Sequence, residues 1–290
     1  MAKTNILALC LLLFCTSINA DELKWVGCGI TKLAFMDDLA KAWTAKTGHT
    51  IVIEGGGATK GIREAASKQV EMGGSCRYKL DHSAEESNSY FEPVAWDALV
   101  AIVHPNNPLT DISKNQLRDI FLGKITNWKA LNGKDQPIHV FAREGKITGV
   151  GYTMRKLLFA NFDQDFTATK LFEDSGPLEK ALESDPLAIG VTGISSARKR
   201  ALKILNLEGR SPDYENIRSG NYLFYRPLYI VYNEMNGKAK LIKNFINFAH
   251  SPEGMDIIRK NGCVPYTEAL ALISKQLRED RAARDMGLHR

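Results

Sequence analysis

The sequence is poor in cysteine, with five in 290 residues, and it has no excess of either charge: 38 Lys and Arg against 33 Asp and Glu leave a formal +5. The basic residues are scattered rather than gathered into a stripe, which excludes a nucleic-acid partner. There is no low-complexity tract and no internal repeat. With 44% of residues hydrophobic, disorder is excluded and one or two globular domains are expected. No pair of cysteines has CxxC or zinc-ligand spacing, and none of the six His falls at metal-site intervals near them, so neither a metal nor another cofactor is expected. Beyond the N-terminus no apolar run approaches the roughly 20 residues that cross a bilayer.

The N-terminus itself is apolar. Lys3 stands ahead of the run Ile6 to Phe14, and Thr16-Ser17-Ile18-Asn19-Ala20 follows, the pattern of a secretory signal peptide over residues 1–20 cut after Ala20. The run is short for a membrane anchor. Phe14 is too bulky before Cys15 for a lipoprotein signal. Cleavage removes Cys10, Cys15 and Lys3, leaving Cys28, Cys76 and Cys263 and a net charge near +4 in a soluble protein outside the cytoplasm. Three cysteines allow one disulfide and one free thiol, or three free thiols.

Along the mature chain, short apolar runs alternate with amphipathic segments. Leu23 to Val26 reads as a strand, Ala34 to Thr47 as a helix stopped by Gly48, Thr50 to Ile53 as a strand, Gly61 to Ser67 as a helix, and Val70 to Gly74 as the approach to a third strand. This β-α-β-α-β order calls for a mostly parallel sheet covered by helices. Ala98 to Val103 is an apolar strand ended by His104-Pro105-Asn106-Asn107-Pro108, which reads as a crossing between domains. A second unit follows, with helices at Lys114 to Leu122 and Thr153 to Ala160 and strands at Ile138 to Ala142 and Ala188 to Thr192. Tyr222 to Tyr232, interrupted by Arg226-Pro227, returns the chain to the first domain, where helices at Lys238 to Ala249 and Pro252 to Asn261 complete it. The expected division is residues 21–103 plus 226–270 for domain 1, 104–225 for domain 2, and a charged, solvated C-terminal helix over 271–290. Trp96, Phe121, Trp128, Phe141 and Phe159 follow element periodicity and are expected in the core.

Three turns between strand and helix combine glycine with small hydroxyl residues: Gly27 to Lys32, Gly55 to Gly61, and Lys146 to Gly151; Gly73-Gly74-Ser75-Cys76-Arg77 ends another strand. Glycines let backbone approach a ligand, and a first helical turn offers free N–H groups. Ligands bind outside the carboxyl ends of strands in such sheets, so these turns would open on one crevice suited to an anion. Thr before a helix also serves simply as an N-cap. None of the turns is a Walker loop or a full GxGxxG fingerprint, which disfavours a nucleotide enzyme. Arg77 and Arg143 stand where a guanidinium could grip an oxyanion or pair with a carboxylate, and Asp97 could orient Arg77, hold a ligand proton or cap a turn.

The order GCGITK, EGGGATKGIREA, EMGGSCR, AWDALVAIVHPNNP, QLRDIFLGKITNW and AREGKITGVGYTMRKLLF resembles the phosphate-binding protein of bacterial phosphate ABC importers, a class II periplasmic solute-binding family, from about residue 23 to residue 267. The resemblance implies a two-domain α/β fold with a ligand cleft between the domains and a monomeric periplasmic protein that is not an enzyme and that delivers phosphate or a related tetrahedral oxyanion to a membrane ABC permease. It implies ligand contacts from Thr31, Lys32 through its amide, Thr59, Ser75, Cys76, Arg77, Arg143, Thr148 and Gly149. The chain departs from the family's pattern at Cys28, at Cys76, where the family carries Asp or Ser, and at Arg143, after which Glu144-Gly145-Lys146-Ile147 precedes Thr148-Gly149. Which oxyanion is bound therefore stays open. Two further functions stay open beside it: a thiol-dependent enzyme using Cys28 or Cys76 at a helix N-terminus, which lacks a visible His partner, and an oxyanion sensor subunit.

Overall fold

Residues 20–287 are described by a computed structural model; the expected leader, Ala20 apart, lies outside the described residues, as do the last three residues of the tail. β1 (Glu22–Gly27) runs into one helical stretch made of α1 (Gly29–Thr31), a π-helical segment at Lys32–Met36 and α2 (Asp37–Thr47), which Gly48 ends at a φ of 78°. β2 (Thr50–Gly55), α3 (Gly57–Ala66) and β3 (Met72–Ser75) follow, and β1 pairs in parallel with β2 on one side and β3 on the other.

β4 (Tyr90–Val103) is one strand of 14 residues, of which the apolar run announced only the second half. After it come β5 (Asp111–Ile112), α4 (Lys114–Phe121), whose start is fixed by a capping box between Ser113 and Gln116, and β6 (His139–Arg143). α5 (Gly149–Met154) continues as a π-helical segment at Arg155–Phe159 and leads to β7 (Lys170–Phe172), α6 (Ser175–Leu182), β8 (Ala188–Gly193) and α7 (Ile194–Ala197). Then β9 (Lys203–Ile204), β10 (Asn206–Leu207) and α8 (Tyr214–Arg218) bring the chain to β11 (Tyr225–Tyr232). α9 (Ala239–Ala249), α10 (Pro252–Lys260), β12 (Val264–Pro265) and α11 (Leu270–Asp285) finish the described chain.

The principal sheet follows the path β2-β1-β3-β11-β4-β8-β6-β7, and β4 belongs to both of its ends. Tyr90 to Ala98 pair with β11, while Leu99 to Val103 pair with β8. Two α/β lobes result, one built on β1 to β3 and β11, the other on β6 to β8. β4 carries the chain out, and the segment entering β11 brings it back, with Leu99 N donating to Phe224 O at 2.7 Å. β11 does not break at Arg226-Pro227; its register slips between Leu228 and Tyr229, just past the proline that has no N–H to give the ladder.

Trp96, Phe121, Trp128 and Phe141 are buried, and Phe159 is half-buried against the same core. α11 is less solvated than its composition suggests. Leu272 is fully buried, Lys156 reaches Asp280 at 2.5 Å, and the Tyr225 hydroxyl at the start of β11 donates to Glu279 at 2.5 Å, so the helix is tied to the body of the protein.

Candidate functional site

The first turn is pinned to β3 by Cys28 N, which donates to Gly74 O at 3.1 Å. This approach requires glycine: a Cβ on Gly74 would come within 2.0 Å of the Trp25 ring. Cys28 has extended backbone and caps α1, its Sγ accepting from Thr31 N at 3.5 Å. The Thr31 hydroxyl is fully buried, donates to Cys28 O at 2.9 Å and lies 3.3 Å from Cys28 Sγ. Lys32 N is bonded to Cys28 O at 3.1 Å, and its ammonium is paired with Asp37 at 2.7 Å.

The segment that leaves β3, Gly73 to Arg77, is locked by Ser75, whose hydroxyl donates to Arg77 O at 2.7 Å and accepts from Arg77 N at 3.1 Å. Arg77 grips Glu86 with both terminal nitrogens, at 2.9 and 2.7 Å, and both side chains are fully buried. Burial alone would push the Glu86 carboxyl up; the hydrogen bonds and charge of Arg77 outweigh it and hold the carboxyl below its usual range. Arg77 also donates from Nε to Ile147 O at 2.9 Å, from Nη1 to Tyr78 O at 2.8 Å and from Nη2 to the Thr59 hydroxyl at 3.2 Å. Thr59 in turn donates to Ile147 O at 3.2 Å. Thr59 and Arg77 of the first lobe thus converge on one carbonyl of the second.

Across the crevice, Arg143 spends its donors on its own lobe: Nε on Phe172 O at 3.2 Å, Nη1 on the Ser175 hydroxyl at 3.0 Å and Nη2 on Glu173 O. Thr148 occupies the N-cap position of α5, yet its hydroxyl bonds Gly145 O at 3.3 Å instead of capping. Gly149 lies against the Cys76 thiol, and Thr153 reaches Cys76 O at 3.2 Å through its hydroxyl. Thr31, Thr59, Ser75, Cys76, Arg77 and Gly149 are therefore brought to one junction between the lobes, whereas Lys32 and Arg143 have their donors committed elsewhere.

Cys28 and Cys76 influence one another's titration, and all three described cysteines are buried free thiols. Burial would raise Cys28; the Cys76 side chain, hydrogen bonds from Thr31 and the charge of Arg226 reverse this and bring it down to about 6. Cys76, which keeps its proton, is pushed well above its usual range. Of the two sulfurs, Cys28 gives up its proton first.

The sequence pattern does not single out Arg226, and of the roles open to Asp97 the structure shows a pairing with Arg226, not Arg77. β11 lies between β3 and β4, so Arg226 stands directly opposite Asp97 in the antiparallel ladder, and Nε and Nη2 donate to Asp97 Oδ2 at 3.1 and 2.9 Å. A charged residue inside an otherwise apolar strand run was the available signal. Nη1 of Arg226 and the Ser195 hydroxyl are buried without a hydrogen-bond partner among the described residues. Ser195 N approaches Asp97 Oδ1 at 3.5 Å. Among the described residues there is no group of three or more His, Cys, Asp or Glu arranged to hold a metal ion, and no helix long and apolar enough to cross a membrane.

The profile of a family described as the PBP superfamily domain matches residues 27–253. The chain is similar to the phosphate-binding protein PstS of Bacillus subtilis, at 29% identity over 223 residues, 75% of this chain and 72% of that one. It is similar to PstS of Borreliella burgdorferi at 26% identity, over 87% of this chain and 93% of that one. Among solved structures, a phosphate ABC transporter substrate-binding protein from Clostridium perfringens with bound phosphate superimposes with a TM-score of 0.75 at 27% identity, covering 84% of this chain and 99% of that one.

Proposed function

The chain belongs to the PBP superfamily, and from that premise we propose that it is an extracytoplasmic solute-binding protein that captures phosphate between its lobes and delivers it to a membrane ABC permease. The observation that carries this reading is the meeting of glycine turns from both lobes at Cys76, where the second lobe's Gly149 rests on the first lobe's thiol. A ligand seated there would touch both lobes at once and favour the closed arrangement by its differential affinity. The lobes are taken as residues 21–103 with 226–270 and residues 104–225.

In this reading the ligand is held by neutral donors: the hydroxyls of Thr31, Thr59, Ser75 and Thr148, turned from the carbonyls they bond in this structure, the Cys76 thiol, and the amide of Gly149, while the Lys32 amide stays on Cys28 O. Arg77 and Arg143 supply positive potential from behind while their nitrogens hold the turns in shape. The protein performs no reaction. Among the described residues no histidine is hydrogen-bonded to Cys28 or Cys76, so no proton-relay pair stands beside either sulfur to act on the bound ligand. The monomer leaves the cytoplasm by its N-terminal signal and works in the periplasm.

Calorimetric titration of refolded, ligand-free protein with phosphate, arsenate, sulfate and molybdate tests the reading. Saturable one-to-one binding of phosphate and arsenate, with sulfate and molybdate weaker, is expected. Binding of sulfate or molybdate in preference to phosphate would transfer the same fold to another cargo.

A further inference from the structure

Cys28 and Cys76 end neighbouring parallel strands. The register sets Gly27 opposite Gly74, so Cys28 follows the last paired residue of β1 by one position and Cys76 that of β3 by two. Strand spacing and rise then put their Cα atoms about 6 Å apart, inside the window of roughly 4.4–6.8 Å that a disulfide needs. Cys28 N already donates to Gly74 O at 3.1 Å, two residues before Cys76. The remaining cysteine, Cys263, points elsewhere, its Sγ lying 4.0 Å from Asp97 Oδ1.

The two sulfurs are also unlike. Cys28 caps a helix and receives the Thr31 amide, with Arg226 of β11 supplying positive charge; Cys76 keeps its proton and feels Asp97 of β4 as well as Arg226. That is the arrangement of an attacking thiolate beside a resolving thiol. In the closed arrangement Gly149 and Thr153 of the second lobe cover Cys76. An oxidant reaches the pair only when the lobes part.

We propose that Cys28 and Cys76 are a redox-sensitive pair, oxidised in the open protein by a small or protein-borne disulfide, and that oxidation tightens the cleft's hold on its oxyanion. The affinity half of this proposal rests on the reading of the preceding section. The Cys28 thiolate attacks one sulfur of the oxidant, forming a mixed disulfide and expelling the first thiolate. Cys76 then loses its proton and attacks Cys28 Sγ, expelling the second. One protein thiolate and one thiol give up two electrons and one proton, and the oxidant's disulfide becomes one thiolate and one thiol. The product removes a buried negative charge from a crevice that receives an anion, and like charges at this range oppose binding strongly.

The test uses the mature chain, reduced with dithiothreitol or oxidised with glutathione disulfide, with inorganic phosphate as the probe. Non-reducing peptide mapping is expected to find a Cys28–Cys76 bond, formed more slowly in the presence of phosphate. The oxidised form is expected to bind phosphate at least tenfold more tightly than the reduced form at pH 8. Cys28→Ser and Cys76→Ser should each abolish the difference between oxidised and reduced samples, and Cys263→Ser should retain it. Mapping that joins Cys263 to either cysteine, no bond at all, or equal affinity of the two forms overturns the proposal. If neither form binds phosphate, the phosphate reading and the affinity claim fall together, while the mapped bond still decides whether the pair exists.

Discussion

A methyl group on Gly149 would come 2.2 Å from Cys76 Sγ, so the first turn of α5 in the second lobe rests directly on the thiol that follows β3 in the first. No side chain larger than hydrogen fits there without parting the lobes or displacing the sulfur. Gly149→Ala leaves each lobe's own packing in place and wedges the junction. Phosphate affinity should fall tenfold or more while the melting temperature of the ligand-free protein changes little. Adding Cys76→Ala to that variant removes the sulfur it collides with, and the combined effect on affinity should be smaller than the sum of the two singles, as contacting residues are not additive.

Thr59→Val and Thr148→Val each remove one hydroxyl and keep the side-chain shape. A hydrogen bond to a charged ligand contributes about 1.5–3 kcal/mol, so each variant should bind phosphate roughly ten- to a hundredfold more weakly. Thr148 makes no capping hydrogen bond, and its loss should leave stability unchanged, whereas removing a working cap would cost about 1 kcal/mol. Calorimetry and thermal melting on both variants separate the two effects. Unchanged affinity in both would remove these hydroxyls from the ligand's surroundings.

Glu86 links stability to acid. Its folded carboxyl is held below the usual range, so the ionised form stabilises the protein at neutral pH, and this contribution fades as pH falls through the lowered value. Glu86→Gln strands the buried Arg77 charge and should lose about 3–5 kcal/mol at pH 7. Urea unfolding from pH 7 down to 3 should show a shallower acid decline in Glu86→Gln than in the parent protein.

Asp97 and Arg226 form the other buried pair. Asp97→Asn should cost about 3–5 kcal/mol by leaving the guanidinium uncompensated, while the double change Asp97→Leu with Arg226→Met should recover much of that loss, because an apolar replacement removes both desolvation penalties. Denaturant midpoints of the parent protein and the two variants measure it.

The strand order of the first half, the glycine turns and their convergence were legible because each is a local pattern. Helix starts were not: α1 begins at Gly29, α3 at Gly57 and α5 at Gly149, several residues ahead of the amphipathic period, since glycine and threonine in a first turn carry no apolar stripe. The partners of the charged residues were hidden for a different reason. Asp97 meets Arg226 across 129 positions because β11 inserts between β3 and β4, and Arg77 meets Glu86 in a short 3₁₀ turn with no periodic signal. The charged tail concealed one buried leucine, Leu272, and contacts with Lys156 and Tyr225.

The central claim is that one tetrahedral oxyanion sits between the lobes. Arsenate has the shape and charge of phosphate, and its arsenic scatters anomalously, so an anomalous difference map from crystals of the mature protein grown with arsenate locates the ligand directly. The account predicts a single strong peak in the crevice bounded by Thr31, Thr59, Cys76 and Gly149. A peak on the outer surface of either lobe, or no peak at saturating arsenate, would contradict it.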